Sequence, residues 1–286
     1  MDLKEALAKM GFDERATVEA FENEEDGEEY AVWKVQTGSD IFVLKKTTKQ
    51  ELSVYNTFLN SVSLGAPRLY KSVDCGDDTF ILIEYIDGNN LRKCDRSSLT
   101  AALDALIYLQ NKYWERRDLQ NLCYGYEDSL HGRELRGKHL NDSELEKAYE
   151  KFLQVYATVP RTLCHDDLLP FNVRFSNGRA VLIDWEYAGI LPYATSLARL
   201  IAHGEEDEAA FFYMKEEDKA FAIEYYFEHL IKNKGIAYGD YRATLDYFLL
   251  YEYCEWVMLG NKYGDTSSSR FKQYLAKAKQ HLSKLK

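Results

Sequence analysis

The sequence predicts an α+β protein in two lobes, an N-terminal one built on an antiparallel sheet and a C-terminal one built mostly of helices. Three observations predict it. Between about 15 and 86, apolar residues alternate in short runs bounded by turn residues. From about 97 onward they recur at helical spacing over longer stretches. A strand–turn–strand pattern at 172–184 interrupts that helical half. The 286 residues suffice for one large core or two modest ones, and the predicted division gives a strand-rich lobe over 1–86 and a helical lobe over 87–286.

The elements follow in order. Leu3, Ala6, Leu7 and Met10 share one face of a first helix, with Asp2 as its cap and Gly11 as its stop. Strands are predicted at 30–35 and 41–45, flanking the turn Thr37-Gly38-Ser39-Asp40. Thr48-Lys49-Gln50-Glu51 reads as a capping box that opens a helix with Leu52, Tyr55, Phe58 and Leu59 on one face. Further strands are expected near 68–75 and 79–85, the second carrying the apolar run Phe80-Ile81-Leu82-Ile83 of a buried strand. After Asp87-Gly88-Asn89-Asn90 the character turns helical, with helices expected at 97–115, from a capping box at Ser143-Glu144-Leu145-Glu146 to Tyr156, and at 217–233, 241–263 and 268–285. A cleft for a ligand is expected between the lobes.

Composition narrows the function classes. The net charge of −11 argues against nucleic-acid phosphates and anionic membranes as partners, and it suits a cationic small molecule or simple solubility. No apolar run approaches the roughly 20 residues of a membrane span. The N-terminal segment is too charged for a signal peptide. Cysteines 75, 94, 123, 164 and 254 are odd in number and lack paired spacing, so neither a disulfide frame nor a zinc site is expected and a reducing cytoplasm fits.

The chemistry concentrates in one stretch, His165-Asp166-Asp167-Leu168-Leu169-Pro170-Phe171-Asn172 followed by Val173 to Asp184. Asp167 precedes the amide Asn172 by five positions, and the carboxylate of Asp184 follows twelve further on. Kinases use this layout to set a catalytic base and two magnesium ligands around a triphosphate. Asn177-Gly178 favours a type I′ turn, and a hairpin turning there sets residues whose numbers sum to about 355 opposite one another. Asn172 and Asp184 then meet at its open end, where Cβ atoms about 5 Å apart allow two oxygens to share a divalent ion.

Leu163-Cys164-His165-Asp166-Asp167 with Asn172, and Leu182-Ile183-Asp184-Trp185-Glu186-Tyr187-Ala188-Gly189, resemble the aminoglycoside phosphotransferase and choline kinase superfamily, small-molecule kinases with a protein-kinase-like fold. The resemblance is sharp over 163–189 and looser over 41–91 and 191–204. It implies Asp167 as the base for the acceptor hydroxyl, Asn172 and Asp184 as Mg²⁺ ligands, Lys45 as the phosphate-binding lysine and Glu51 as its partner. It also implies that backbone groups near Glu84 and Ile86 hold the base of ATP or GTP, and that Glu186 is either a second acid toward the site or a structural acceptor. Asp166 either faces the substrate or is a solvated turn residue.

The chain departs from the family pattern in two places. Where a glycine- or serine-rich phosphate loop is expected, it reads Phe21-Glu22-Asn23-Glu24-Glu25-Asp26-Gly27-Glu28-Glu29, and these carboxylates repel a triphosphate. Ser196-Leu197-Ala198 stands where the family usually has Asp before Leu-Ala, which removes an acid that braces the catalytic loop. The absence of Ala-Pro-Glu and of a long activation segment disfavours a protein kinase.

The expected activity is Mg-dependent transfer of phosphate from ATP or GTP to a hydroxyl of a small acceptor, an aminoglycoside or choline-like amino-alcohol. Glu252, Glu255 and Trp256 lie off the apolar stripe of their helix and form a candidate cation site. An alternative is a catalytically weak nucleotide-binding regulatory protein on the same fold. A metal-dependent hydrolase using His165 with Asp166, Asp167 and Asp184 is a third reading, opposed by the lack of a second histidine at ligand spacing.

Overall fold

Alternation of side chains across a pleat decides the N-terminal half. The computed structural model describes residues 3–22, 29–119 and 124–285. Helix α1 (Leu3–Met10) is followed by strands β1 (Thr17–Glu22), β2 (Glu29–Thr37) and β3 (Asp40–Thr47), helix α2 (Lys49–Val54), and strands β4 (Leu69–Cys75) and β5 (Asp78–Glu84). The five strands form one antiparallel sheet in the order β1-β2-β3-β5-β4. Phe80 and Leu82 on β5 join Trp33, Val35, Leu44, Ala6 and Met10 in a core beneath α1, while Ile81 and Ile83 point the other way into the main core. The apolar run at 80–83 is therefore continuous because both faces of this strand are covered. The acidic stretch at 23–28 and Asp2 lie outside the described residues, as does Cys123.

Thr48 caps α2 by accepting the N–H of Glu51 at 3.2 Å, but the Glu51 carboxylate does not return to the cap. Beyond Val54 the helix widens into one turn over Tyr55–Leu59, and Tyr55, Phe58 and Leu59 enter the main core. That core therefore spans the junction between sheet and helices.

The helical half holds α3 (Arg96–Lys112), α4 (Tyr126–Gly137), α5 (Ser143–Thr158), α6 (Ala194–Ala202), α7 (Glu216–Tyr226), α8 (Tyr238–Tyr263) and α9 (Ser269–Leu282). Asp95 caps α3, Asp142 rather than Ser143 caps α5, and Ser268 caps α9, each accepting backbone N–H groups of the first turn. The helix expected at 217–233 ends earlier, passing into a wide turn and a 3₁₀ turn closed by Gly235 at φ +75°.

Helices α4 and α6 have no counterpart in the sequence reading. The α4 segment carries Gly132 and Gly137, which weaken helix propensity, and Gly137 is needed because a Cβ there would stand 2.6 Å from the Tyr149 ring. The nine residues of α6 lack a side-chain cap at their start, and all but Arg199 are buried. Between the helices run β6 (Asn89–Asn90), β7 (Arg161–Cys164), β8 (Val173–Ser176), β9 (Arg179–Leu182) and β10 (Gly189–Pro192), in sheets β6-β8-β9 and β10-β7. No helix among the described residues is long and apolar enough to cross a membrane, and Cys75, Cys94, Cys164 and Cys254 are buried.

Candidate active site

The hairpin sets the site's geometry. Asn177 (φ +51°) and Gly178 (φ +74°) both take the left-handed backbone that a type I′ turn requires. β8 and β9 pair as Val173↔Leu182, Arg174↔Val181 and Phe175↔Ala180, the register in which numbers sum to 355. At the open end the Ile183 N–H donates to the Asn172 carbonyl at 2.9 Å, so Asn172 and Asp184 sit side by side. The Asn172 side-chain amide donates to the Asp167 carbonyl at 2.9 Å, which ties the loop before the hairpin to the hairpin's base.

Lys45 reaches this corner from the sheet. Its Nζ lies 2.8 Å from Glu51 and 2.6 Å from Asp184, joining residues 139 positions apart across the two lobes. Glu51 is 2% exposed, and its carboxylate also accepts from the Thr47 hydroxyl and, at 3.3 Å, from the Trp185 N–H. This explains why Glu51 does not complete its capping box: Lys45 is the stronger partner. Asp184 adopts φ +67°, a costly conformation for a non-glycine residue of the kind that clusters at functional sites. Crowding by protein atoms pushes its carboxyl upward, but the Lys45 ammonium overrides this and holds it below the usual range. Asn172 and Asp184 offer hard oxygen donors, and two protein ligands are what Mg²⁺ takes when phosphates and water fill its other positions. The donor set fits that ion.

His165 is a structural residue. Its Nε2–H donates to the Ile183 carbonyl at 2.8 Å, its ring lies 4.6 Å from that of Trp185, and burial lowers its pKa and keeps it neutral. No group of three or more His, Cys, Asp and Glu side chains placed to hold a metal ion exists among the described residues, which counts against the hydrolase reading.

The side chain of Asp167, the predicted base, is 28% exposed. Burial raises its pKa, opposed by Arg199, whose Nε and Nη2 both donate to Oδ1 at 3.1 and 2.9 Å. Ser196 restores what the missing acid would have supplied, since its hydroxyl accepts the His165 N–H at 2.9 Å and braces the catalytic loop as a neutral acceptor.

Several sequence expectations change here. Asp166 is neither solvated nor substrate-facing; its side chain is 6% exposed and paired with Arg133, Tyr124 and Ser129 in the interior. Its φ of +59° turns it away from Asp167's direction into the helical lobe. Glu252 and Glu255 are buried ligands of Arg199 at 2.9 and 2.5 Å, so they are not available to a substrate cation. Arg199 and Arg136 carry the Glu255 carboxyl against its burial down to about 2. Trp256 stacks near Tyr274, and Arg270 already lies over its ring at 4.6 Å.

Glu186 remains beside the site. Burial, then its neighbour Asp184, raises its pKa, and its backbone carbonyl accepts from the Gln50 side chain. The Glu84 N–H is taken by the Arg68 carbonyl at 2.9 Å, which leaves the connector beyond β5, at Ile86, to offer its amide.

The sequence reading missed Arg199, Arg133, Arg136 and Tyr187. Tyr187 is 49% exposed, shares the acidic neighbourhood of Glu186, Asp167 and Asp184, and packs edge-on against Tyr124 at 6.2 Å. Its place three residues after Asp184 was the available signal. For Arg199 the signal was charge inside apolar sequence, Leu197-Ala198-Arg199-Leu200-Ile201, whereas Arg133 and Arg136 lie in the polar stretch His131-Gly132-Arg133-Glu134-Leu135-Arg136 and gave none.

The profile of a phosphotransferase enzyme family matches residues 25–227. No protein of curated function matches the chain. Among solved structures, an aminoglycoside phosphotransferase APH(4)-Ia in complex with ADP and hygromycin B is similar with a TM-score of 0.60 at 14% identity, over 99% of this chain and 98% of that one. The choline kinase of Cryptosporidium parvum Iowa II is similar with a TM-score of 0.62 at 17% identity, over 96% and 92%. The amicoumacin kinase hAmiN in complex with AMP-PNP, Ca²⁺ and Ami is similar with a TM-score of 0.59 at 14% identity, over 100% and 93%. Likeness at such low identity speaks to the fold.

Proposed function

Because the chain belongs to the phosphotransferase enzyme family, we propose that this small-molecule kinase transfers the terminal phosphoryl group of ATP or GTP to a hydroxyl of a cationic acceptor. The observation that carries the reading is the meeting of Lys45, Asp184, Asn172 and Asp167 around one corner of the cleft. Lys45 binds phosphate oxygens, and Glu51 keeps its ammonium aimed at them. Asn172 and Asp184 hold Mg²⁺, which supplies charge neutralisation on the phosphates when bound. Asp167 aligns the acceptor hydroxyl and takes its proton. Phosphoryl transfer leaves the protein little covalent work, so this is catalysis by positioning and electrostatics. The backbone around Ile86, with the carbonyl of Glu84, receives the nucleotide base.

A cationic acceptor is supported by the balance of charge around Asp167. The cleft presents Asp167, Asp184 and Glu186, whereas Lys45 and Arg199 are each neutralised by more than one carboxylate. Tyr187 adds an exposed aromatic face beside these acids, the combination that attracts ammonium groups. The test is Mg-ATP and Mg-GTP turnover against choline, further amino-alcohols, aminoglycosides and neutral sugars. Phosphorylation of an amine-bearing alcohol is expected. Efficient turnover of a neutral sugar with every amine inert refutes the cationic acceptor while leaving the kinase.

A further inference from the structure

Consecutive aspartates of the catalytic loop are held by two different helices. Asp166 pairs with Arg133 of α4, and Asp167 pairs with Arg199 of α6. Arg136, one turn beyond Arg133 on α4, donates to Glu255 of α8 at 2.8 Å, and Glu255 in turn accepts from Arg199. The contacts thus form a closed ionic circuit: Asp166, Arg133, helix α4, Arg136, Glu255, Arg199, Asp167. Glu252 joins at Arg199, and His203, itself hydrogen-bonded to Tyr274 at 2.7 Å, backs Glu252 at 3.3 Å.

Two features separate this circuit from ordinary structural ion pairs. Both Nε and Nη2 of Arg199 converge on a single oxygen, Oδ1 of Asp167, and no hydrogen bond among the described residues reaches Oδ2. Two converging donors fix both side-chain torsions of an aspartate that would otherwise swing in the open cleft. Arg199 is also only 15% exposed, and its charge is met by Glu252 and Glu255 independently of Asp167. It therefore orients the carboxylate without depending on it for neutralisation.

We propose that Arg199, anchored by Glu252 and Glu255, is a positioning residue that locks Asp167 with Oδ2 presented to the acceptor hydroxyl. The inference rests on Asp167 being the base, as argued above. Misplacing a reacting group by about 1 Å costs roughly 10²-fold in rate, which sets the scale of the expected effect.

The experiment measures kcat and nucleotide KM with Mg-ATP, using water, choline or hygromycin B, whichever acceptor turns over fastest. Asp167→Asn comes first, and wild-type turnover in that variant refutes the reading of Asp167 itself. Arg199→Met leaves Glu252 with His203 alone and Glu255 with Arg136 alone, and is expected to lower Tm. The triple variant Arg199→Met, Glu252→Gln, Glu255→Gln removes the cation with its anions and is expected to regain most of that Tm. Its kcat stays about 10²-fold down with nucleotide KM unchanged, and in the Asp167→Asn background the same triple change lowers kcat no further. Arg199→Lys, which keeps the charge but cannot present two converging donors, is expected to fold and to lose about tenfold in kcat. Recovery of kcat together with Tm in the triple variant, or wild-type kcat in Arg199→Lys, overturns the proposal, because either means the circuit serves only the fold.

Discussion

Two ionic clusters meet at the cleft, and they are built on opposite principles. On the nucleotide side, Lys45 lies between Glu51 and Asp184, and the Asp184 carboxylate is 46% exposed. On the acceptor side, Arg199 lies among Asp167, Glu252 and Glu255, with the two glutamates 3% and 12% exposed. An ion pair open to solvent is worth little and is readily exchanged for another partner. A buried pair is costly to break because the surviving charge is left without water. The exposed Asp184 end of the first cluster is thus suited to trading partners when a ligand arrives, and the buried glutamates of the second to holding a side chain still.

The largest expected effect separates the clusters by kinetics. Asp167→Asn is expected to lower kcat by about 10²- to 10⁴-fold with Mg-nucleotide affinity nearly unchanged, since general-base contributions fall in that range. Asp184→Ala is expected to act in the other way, by weakening Mg-dependent nucleotide binding. Calorimetry of both variants checks the contrast, and equal nucleotide affinities would merge the clusters into one.

Stability separates them next. Glu255→Gln breaks a buried charge pair and is expected to cost about 3–5 kcal/mol, whereas Asp184→Asn costs much less because that side chain is 46% exposed. The pH dependence has a defined sign. The Glu255 carboxyl sits at about 2 in the folded chain against 4.5 ordinarily, so its stabilisation is fully present above about pH 4.5 and is lost as pH falls toward 2. The Tm gap between wild type and Glu255→Gln is accordingly expected to narrow over that interval. A gap that widens on acidification would show that Glu255 is not held ionised.

The smallest effect concerns the aromatic residues near each cluster. Tyr187→Ala is expected to raise KM for an amine-bearing acceptor about two- to fivefold with Tm unchanged, the scale of an exposed cation–π contact. Trp256→Ala is expected to lower Tm and leave KM alone, because the ring packs on Tyr274 under Arg270. The reverse pattern would return the acceptor to Trp256.

The same contrast runs through what could be read in advance. The nucleotide-side cluster was legible because its parts lie on regular local structure. Asn177-Gly178 has one favoured hairpin turn, the turn sets the 173–182 register, and the register brings Asn172 beside Asp184. Lys45 and Glu51 were implied by the family resemblance, whereas Phe80-Ile81-Leu82-Ile83 reads as a buried strand from composition alone. Those are short-range rules of dihedral angle, pleat and spacing, and the sequence by itself determines them together with the two-lobed α+β plan.

The acceptor-side cluster was decided by tertiary structure. A solvent-facing glutamate and a buried one look identical in sequence, and Glu252 and Glu255 were read as open because they lie off the apolar stripe of α8. The partner that buries them is Arg199, 53 and 56 positions away on a short helix without a side-chain cap. Asp166 likewise has a role only because α4, with its two glycines, delivers Arg133 to it. Local propensity carries no information about which charge will meet which across a core. The large desolvation cost of an unpaired ion settles that pairing only once the helices have packed.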